Sequence, residues 1–146
     1  NELENKYQEI KNSRYFTNLI KIPKGERETI KNLFKQYKLA IVTGRFAVES
    51  TFSMTGLKKY FQVVVKFGDY QKPKPDPEPL IMALEKLHIT SKEAIYIGDS
   101  EVDLQAAKAI GMKFIGFYGI SGKIFQEADA NVKSFKELEE AILALT

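Results

Sequence analysis

The chain has 146 residues, 44% apolar and 12% aromatic, and its 22 basic and 19 acidic side chains leave a net charge of +3. That is enough apolar material for one domain with a sizeable core, and the basic residues are spread along the chain, so neither a nucleic-acid nor a membrane partner is expected. With no cysteine a disulfide framework and thiolate chemistry are excluded, and no apolar run approaches the roughly 20 residues of a membrane span; a cytoplasmic protein is the expectation. The first residue is Asn1, not methionine, which fits a start inside a longer protein.

Residues 1–22 are polar with scattered Tyr, Phe and Ile, the pattern of a short amphipathic helix with an extended exit. From Pro23 a different organisation begins. Ile30, Leu33, Phe34 and Tyr37 recur at helical spacing, and the apolar run Leu39 to Val42 then stops at Thr43-Gly44, predicting a helix followed by a buried strand. A helix near Phe46 to Thr55, a strand Val63 to Val65 and a helix after Asp76-Pro77 continue the alternation, Asp suiting the N-cap and Pro the first turn. Strand Ala94 to Ile97, helix Glu101 to Ile110 and strand Lys113 to Phe117 follow. Ser134 with Glu137 then predicts a capping box ahead of Phe135, Leu138, Ala141, Ile142 and Leu145. Apolar strands without polar alternation, separated by amphipathic helices, predict an α/β fold with a parallel sheet covered on both faces.

In such sheets ligands bind beyond the carboxyl ends of the strands, so the residues just past each strand are the ones to read. Thr43 offers a hydroxyl and Gly44 a closely approachable backbone, together suited to a phosphate oxygen, although a polar turn closing a strand looks the same. Asp99 follows the strand 94–97 directly as a hard oxygen ligand suited to magnesium, and Asp103 lies one helical turn further on the same side. A local reading competes: Ser100 is a good N-cap, and Glu101 and Asp103 suit the positive end of any helix. Residues 71–79 hold four of the chain's five prolines and either form a stiff linker or fix a lysine with little conformational freedom. His88 has no histidine or cysteine partner for a metal cluster and is no catalytic candidate.

Taken in order, these segments resemble the haloacid dehalogenase superfamily, and within it the phosphoglycolate-phosphatase-like members, over roughly Pro23 to the end. The strand ending in Thr or Ser of that family is similar to Leu39-Ala-Ile-Val-Thr-Gly-Arg45. The family's lysine in a KPxPD context falls on Lys72-Pro73-Lys74-Pro75-Asp76, which makes Lys72 the match and Lys74 the variable position. The GDSxxD motif, followed by an alanine-rich helix and Gly-Met, is present in full as Gly98 to Asp103 and then Gly111-Met112. The resemblance implies a Rossmannoid three-layer α/β/α core over 23–146, with 1–22 as the remnant of a helical cap. It also implies that Thr43, Gly44 and Lys72 bind phosphate, that Lys72 and Asp103 support catalysis, and that Asp99 holds Mg2+ with Asp103 behind it, near Lys72.

One family motif has no counterpart. DxDx(T/V), which ends the first strand and supplies the nucleophilic and general-acid aspartates, does not occur, and Asp69, Asp76 and Asp129 stand in other contexts. The strand that carries it would lie mid-sheet, between the strands ending at Thr43 and Asp99. The implied function of the complete protein is Mg2+-dependent phosphatase action on a small phosphorylated metabolite such as phosphoglycolate, through an aspartyl-phosphate. The chain as given is expected to be inactive alone, its sheet completed by a missing N-terminal segment or another subunit. Two other readings stay open: a non-catalytic magnesium- or phosphate-binding module or partner subunit, and a phosphomutase of the same superfamily.

Overall fold

A computed structural model describes residues 25–46, 48, 52 and 55–146. The expected cap remnant 1–22 lies outside these residues, as does much of the expected helix 46–55. The elements in chain order are α1 (Glu26–Phe34), β1 (Ala40–Val42), β2 (Val63–Val65), α2 (Glu78–Leu87), β3 (Ile95–Gly98), α3 (Glu101–Ala109), β4 (Lys113–Phe117), β5 (Ala130–Val132) and α4 (Phe135–Leu145). One-turn 3-10 helices at Lys58–Tyr60 and Ser91–Glu93 lead into β2 and β3. No helix among the described residues is long and apolar enough to cross a membrane.

All strand pairs are parallel, as the unalternating apolar runs predict. Among the described residues they form two separate half-sheets, β1-β2 and β3-β4-β5. On β4 the pleat sends Phe114 and Ile115 to opposite faces, and both are fully buried. Phe114 joins Leu80 of α2 and Leu104, Ala106 and Ala107 of α3 in one apolar layer. Ile115 joins Leu33 of α1 and Leu138 and Ile142 of α4 in the other. Helices therefore cover both faces, giving the expected three-layer α/β/α arrangement. Val48 and Phe52 are buried with Ile30 of α1 and Leu57 in a smaller cluster beside β1 and β2.

Helix boundaries follow from local polar chemistry, with small departures from the sequence reading. Pro77, not Asp76, occupies the N-cap position of α2, but the Asp76 carboxylate accepts the Glu78 N–H at 2.9 Å, so Asp76 satisfies the helix end from one residue further out. The same helix stops at His88, which adopts the left-handed conformation with φ 56°, a C-capping role in keeping with its exclusion from the chemistry. The capping box of α4 forms only in half: Ser134 Oγ accepts the Glu137 N–H, while the Glu137 carboxylate reaches past it to the Lys133 N–H at 2.7 Å. A complete box instead joins Thr90 and Glu93 at the turn before β3. Strand β5, which the sequence reading does not contain, is three residues long and too short to show a period; it is fixed by pairing with β4 and by Asn131, whose amide bonds both the N–H and C=O of Phe125 at 2.9 Å.

Phe114 packs its ring against Tyr96 and Phe125, at centroid distances of 6.1 and 5.8 Å. Replacing it with Ala is expected to cost about 3–5 kcal/mol, whereas Leu143→Ala, on a side chain that is 70% exposed, should stay within about 0.5 kcal/mol; urea unfolding of the two variants checks both.

Candidate active site

At the carboxyl end of β3 the Asp103 carboxylate is the hub. Only 5% of this residue is exposed, and both of its oxygens are engaged. Oδ1 accepts from Lys74 Nζ at 2.6 Å and from the Tyr96 hydroxyl at 3.1 Å; Oδ2 accepts from Ser100 Oγ at 2.7 Å and from the Asp99 N–H at 3.3 Å. Ser100 does stand at the N-cap position of α3, as the local reading has it, but its side chain makes no capping bond and donates to Asp103 instead. Gly98 explains how a carboxylate fits so closely against the strand. A Cβ there would lie 2.5 Å from the Cβ of Asp103, so the glycine is needed for the acid behind it.

The lysine at this hub is Lys74. This corrects the assignment of Lys72: Lys72 is exposed, and its backbone N–H donates to Glu78 Oε2. Glu78 takes the neighbouring Gln71 N–H on its other oxygen at 2.8 Å, and Asp76 holds the start of α2. Both ends of the proline segment are thereby tied to one helix terminus, and Lys74 is the lysine that enters. Its ammonium also donates to the Tyr96 hydroxyl at 2.8 Å, closing a triangle of Lys74, Tyr96 and Asp103. Tyr96 is a site residue that the sequence reading missed; the available signal is a phenol on a buried strand, whose hydroxyl requires a partner. Burial first, then the charge of and hydrogen bond to Asp103, push the Tyr96 phenol far above its ordinary range, so it stays a neutral donor.

For Asp103, burial alone would raise the carboxyl pKa, but the bonds from Lys74, Ser100 and Tyr96 outweigh it and hold the group below its ordinary value. A carboxyl depressed in the folded state contributes stability that is fully present above its unfolded pKa of about 4 and is lost as pH falls through the folded value.

Beyond β1, Thr43 keeps its strand bond to the Val65 carbonyl, and its hydroxyl oxygen accepts the Arg45 N–H at 3.1 Å. Among the described residues the Thr43 hydroxyl donates no hydrogen bond, and Gly44 beside it is exposed. The Tyr70 hydroxyl donates to the Thr43 carbonyl at 3.4 Å. Thr43 and the Asp103 hub stand past the ends of β1 and β3, on different half-sheets. Asp99 is exposed, and among the described residues its carboxylate accepts no hydrogen bond. A free hard-oxygen donor suits Mg2+, which commonly takes one or two protein carboxylates with waters and substrate phosphate. The saturated Asp103 can only stand behind it. No cluster of three or more His, Asp or Glu able to hold a metal gathers among the described residues, so the fit rests on Asp99.

A family model described as haloacid dehalogenase-like hydrolase matches residues 1–117. The chain belongs to this family. Among curated relatives of this haloacid dehalogenase-like chain, pyrophosphatase PpaX of Listeria welshimeri is 39% identical over 100 residues, covering 66% of the chain and 46% of the relative. Phosphoglycolate phosphatase of Salmonella typhi is 39% identical over 90 residues, covering 59% and 36%. The crystal structure of a HAD phosphatase from Thermococcus onnurineus superposes with a TM-score of 0.82 at 27% identity, covering 93% of the chain and 64% of the other. The chain spans about half the length, or less, of the curated relatives it matches.

The two lysines separate in a stability test. Lys74→Ala strands a carboxylate whose side chain is only 7% exposed and is expected to cost roughly 3 kcal/mol, while Lys72→Ala should change stability by less than about 0.5 kcal/mol; chemical denaturation at neutral pH reads the difference.

Proposed function

We propose that the complete protein is a Mg2+-dependent phosphatase acting on a small phosphorylated metabolite. The observation that carries this reading is the ammonium of Lys74, pinned between Asp103 and Tyr96 at the end of β3, with the carboxylate of Asp99, which accepts no hydrogen bond among the described residues, on the adjoining turn. Lys74 brings fixed positive charge to the site, Thr43 a hydroxyl donor, and Gly44 an approachable backbone amide; such preorganised groups stabilise charge on a transferring phosphoryl group. Asp103, locked by its own bonds, positions Lys74 without facing the substrate. Magnesium held at Asp99 would supply further positive charge toward the phosphate oxygens.

These residues stabilise charge but do not attack phosphorus. In the complete reaction a carboxylate forms the bond to phosphorus as the ester oxygen leaves with a proton from an acid, and water then cleaves the aspartyl-phosphate to release phosphate. Both acids belong to the DxDx(T/V) motif, for which this sequence has no match. The names of the relatives supply two candidate substrate types, phosphoglycolate and pyrophosphate, which share a terminal phosphoryl group.

Two measurements test the assignment. The purified chain should hydrolyse p-nitrophenyl phosphate at the background rate, since losing a covalent nucleophile lowers rates by orders of magnitude; turnover abolished by Asp99→Asn would overturn the view that the attacking groups lie elsewhere. Titration with Mg2+, followed by amide NMR, should shift the resonances of Gly98 to Ser100, and Asp99→Asn should remove the response. Persistence of the same shifts in that variant would displace Asp99 as the metal ligand.

A further inference from the structure

Two phenylalanines stand half in water beside the candidate site. Phe46 is 49% exposed and Phe67 47%, and both lie in the turns that leave the carboxyl ends of β1 and β2, where parallel sheets bind their ligands. Their rings meet edge to face, with centroids 6.4 Å apart and planes at 63°. Scattered apolar residues are ordinary on a surface, but two joined aromatic rings at this end of a sheet have the composition of a ligand-pocket wall.

The turns hold the rings in place. After β2 the Asp69 carboxylate accepts the Lys66 N–H at 2.9 Å and the Asp69 N–H donates to the Lys66 carbonyl at 3.0 Å, so residues 66–69 close on themselves. Gly68 within this turn takes φ 99°, which favours glycine, and a Cβ there would lie 4.0 Å from the Phe46 ring. After β1 the bond from the Arg45 N–H to the Thr43 hydroxyl folds the chain back between Thr43 and Phe46. The two turns also meet directly. Tyr70 reaches from the β2 side to the Thr43 carbonyl, and its hydroxyl would stand 3.9 Å from a Cβ at Gly44. Thr43, Gly44 and the two rings therefore belong to one surface.

Reach and charge select what this surface takes. Three residues carry the chain from Thr43 to Phe46, at most about 11 Å, so a phosphoryl group held at Thr43 and Gly44 leaves its alcohol part within reach of the rings. Lys66 Nζ lies 6.0 Å from the Phe46 ring centroid, positive charge that suits an anionic ester. A flat aromatic group can stack on or abut both rings, whereas a carboxylate gains nothing from the electron-rich face of a ring.

We propose that Phe46 and Phe67 form a platform for the alcohol part of the substrate, and that the substrate is a phosphate monoester whose alcohol carries a planar aromatic ring. The proposal rests on the phosphatase reading and names the substrate class of that site.

Since the sequence has no DxDx(T/V) match, binding can be read without turnover. The isotope-labelled chain is titrated, with Mg2+ present, with phenyl phosphate, phosphoglycolate and inorganic phosphate, and NMR gives a Kd for each. All three should shift the amides of Thr43 and Gly44. Phenyl phosphate should bind about tenfold more tightly than phosphoglycolate, the gain from one stacked ring, with NOEs from its ring protons to both phenylalanines. Phe46→Ala and Phe67→Ala should each bring that ratio toward one, and Phe67→Tyr, which keeps a ring, should retain it. Equal affinity for the two esters, or a preference that both alanine variants keep, overturns the platform, while shifts at Thr43 and Gly44 leave the phosphatase reading standing. No shift at those two residues with any ligand removes the phosphate site and the platform with it. A dimer by sedimentation, whose formation shifts both ring resonances before any ligand is added, assigns the pair to a second copy and overturns the proposal.

Discussion

The ion pair of Lys74 and Asp103 is the constraint around which the rest is arranged. With side chains only 14% and 7% exposed, both charges have given up most of their water, and such a pair persists only where further hydrogen bonds complete it. Tyr96 and Ser100 do so here, together with the Asp99 N–H. Each partner comes from a different piece of the fold: the proline segment, the pleat of β3, and the turn into α3. Satisfying one buried carboxylate therefore fixes the relative placement of the proline segment, β3 and the turn into α3 at the sheet's carboxyl end. The same requirement explains the glycine at 98, where any side chain would displace the acid.

The layers carry this arrangement, and they divide the sheet unequally. The half containing β3, β4 and β5 is packed on both faces by long apolar side chains, with Phe114 and Ile115 fully enclosed. The half containing β1 and β2 leans on α2 and on the cluster around Ile30 and Leu57. What joins the halves is side-chain packing through the helical layers, without strand pairing among the described residues. With Thr43 on one half and the charged hub on the other, the relative placement of these groups depends on that junction.

Much of the fold was legible because its signals are local. The period of Ile30 and Leu33, the unbroken apolar runs of β1 to β4, and the serine ahead of α4 each act within a few residues, and each element formed where those signals put it. Strand β5 escaped because three residues with Asn131 in the middle carry no periodicity; its existence depends on β4 and on the bonds that asparagine makes to Phe125. The choice between Lys72 and Lys74 was illegible for a different reason. Two lysines alternating with prolines are equivalent in composition, and what separates them is the pull of Glu78 and Asp76 on the backbone around them.

The sequence by itself determined an α/β chain with a parallel sheet, an acid pair behind β3, a hydroxyl behind β1, and the lack of a DxDx(T/V) motif, because residue types, periods and spacings are properties of neighbouring positions. Only the tertiary structure decided which lysine meets Asp103, that Ser100 serves the acid and not the helix end, that Tyr96 belongs to the site, and that the strands among the described residues form two half-sheets. Those outcomes depend on burial. Once a carboxylate is taken out of water it must find its partners among whatever groups the packed layers bring to it, and no one-dimensional spacing records which those are.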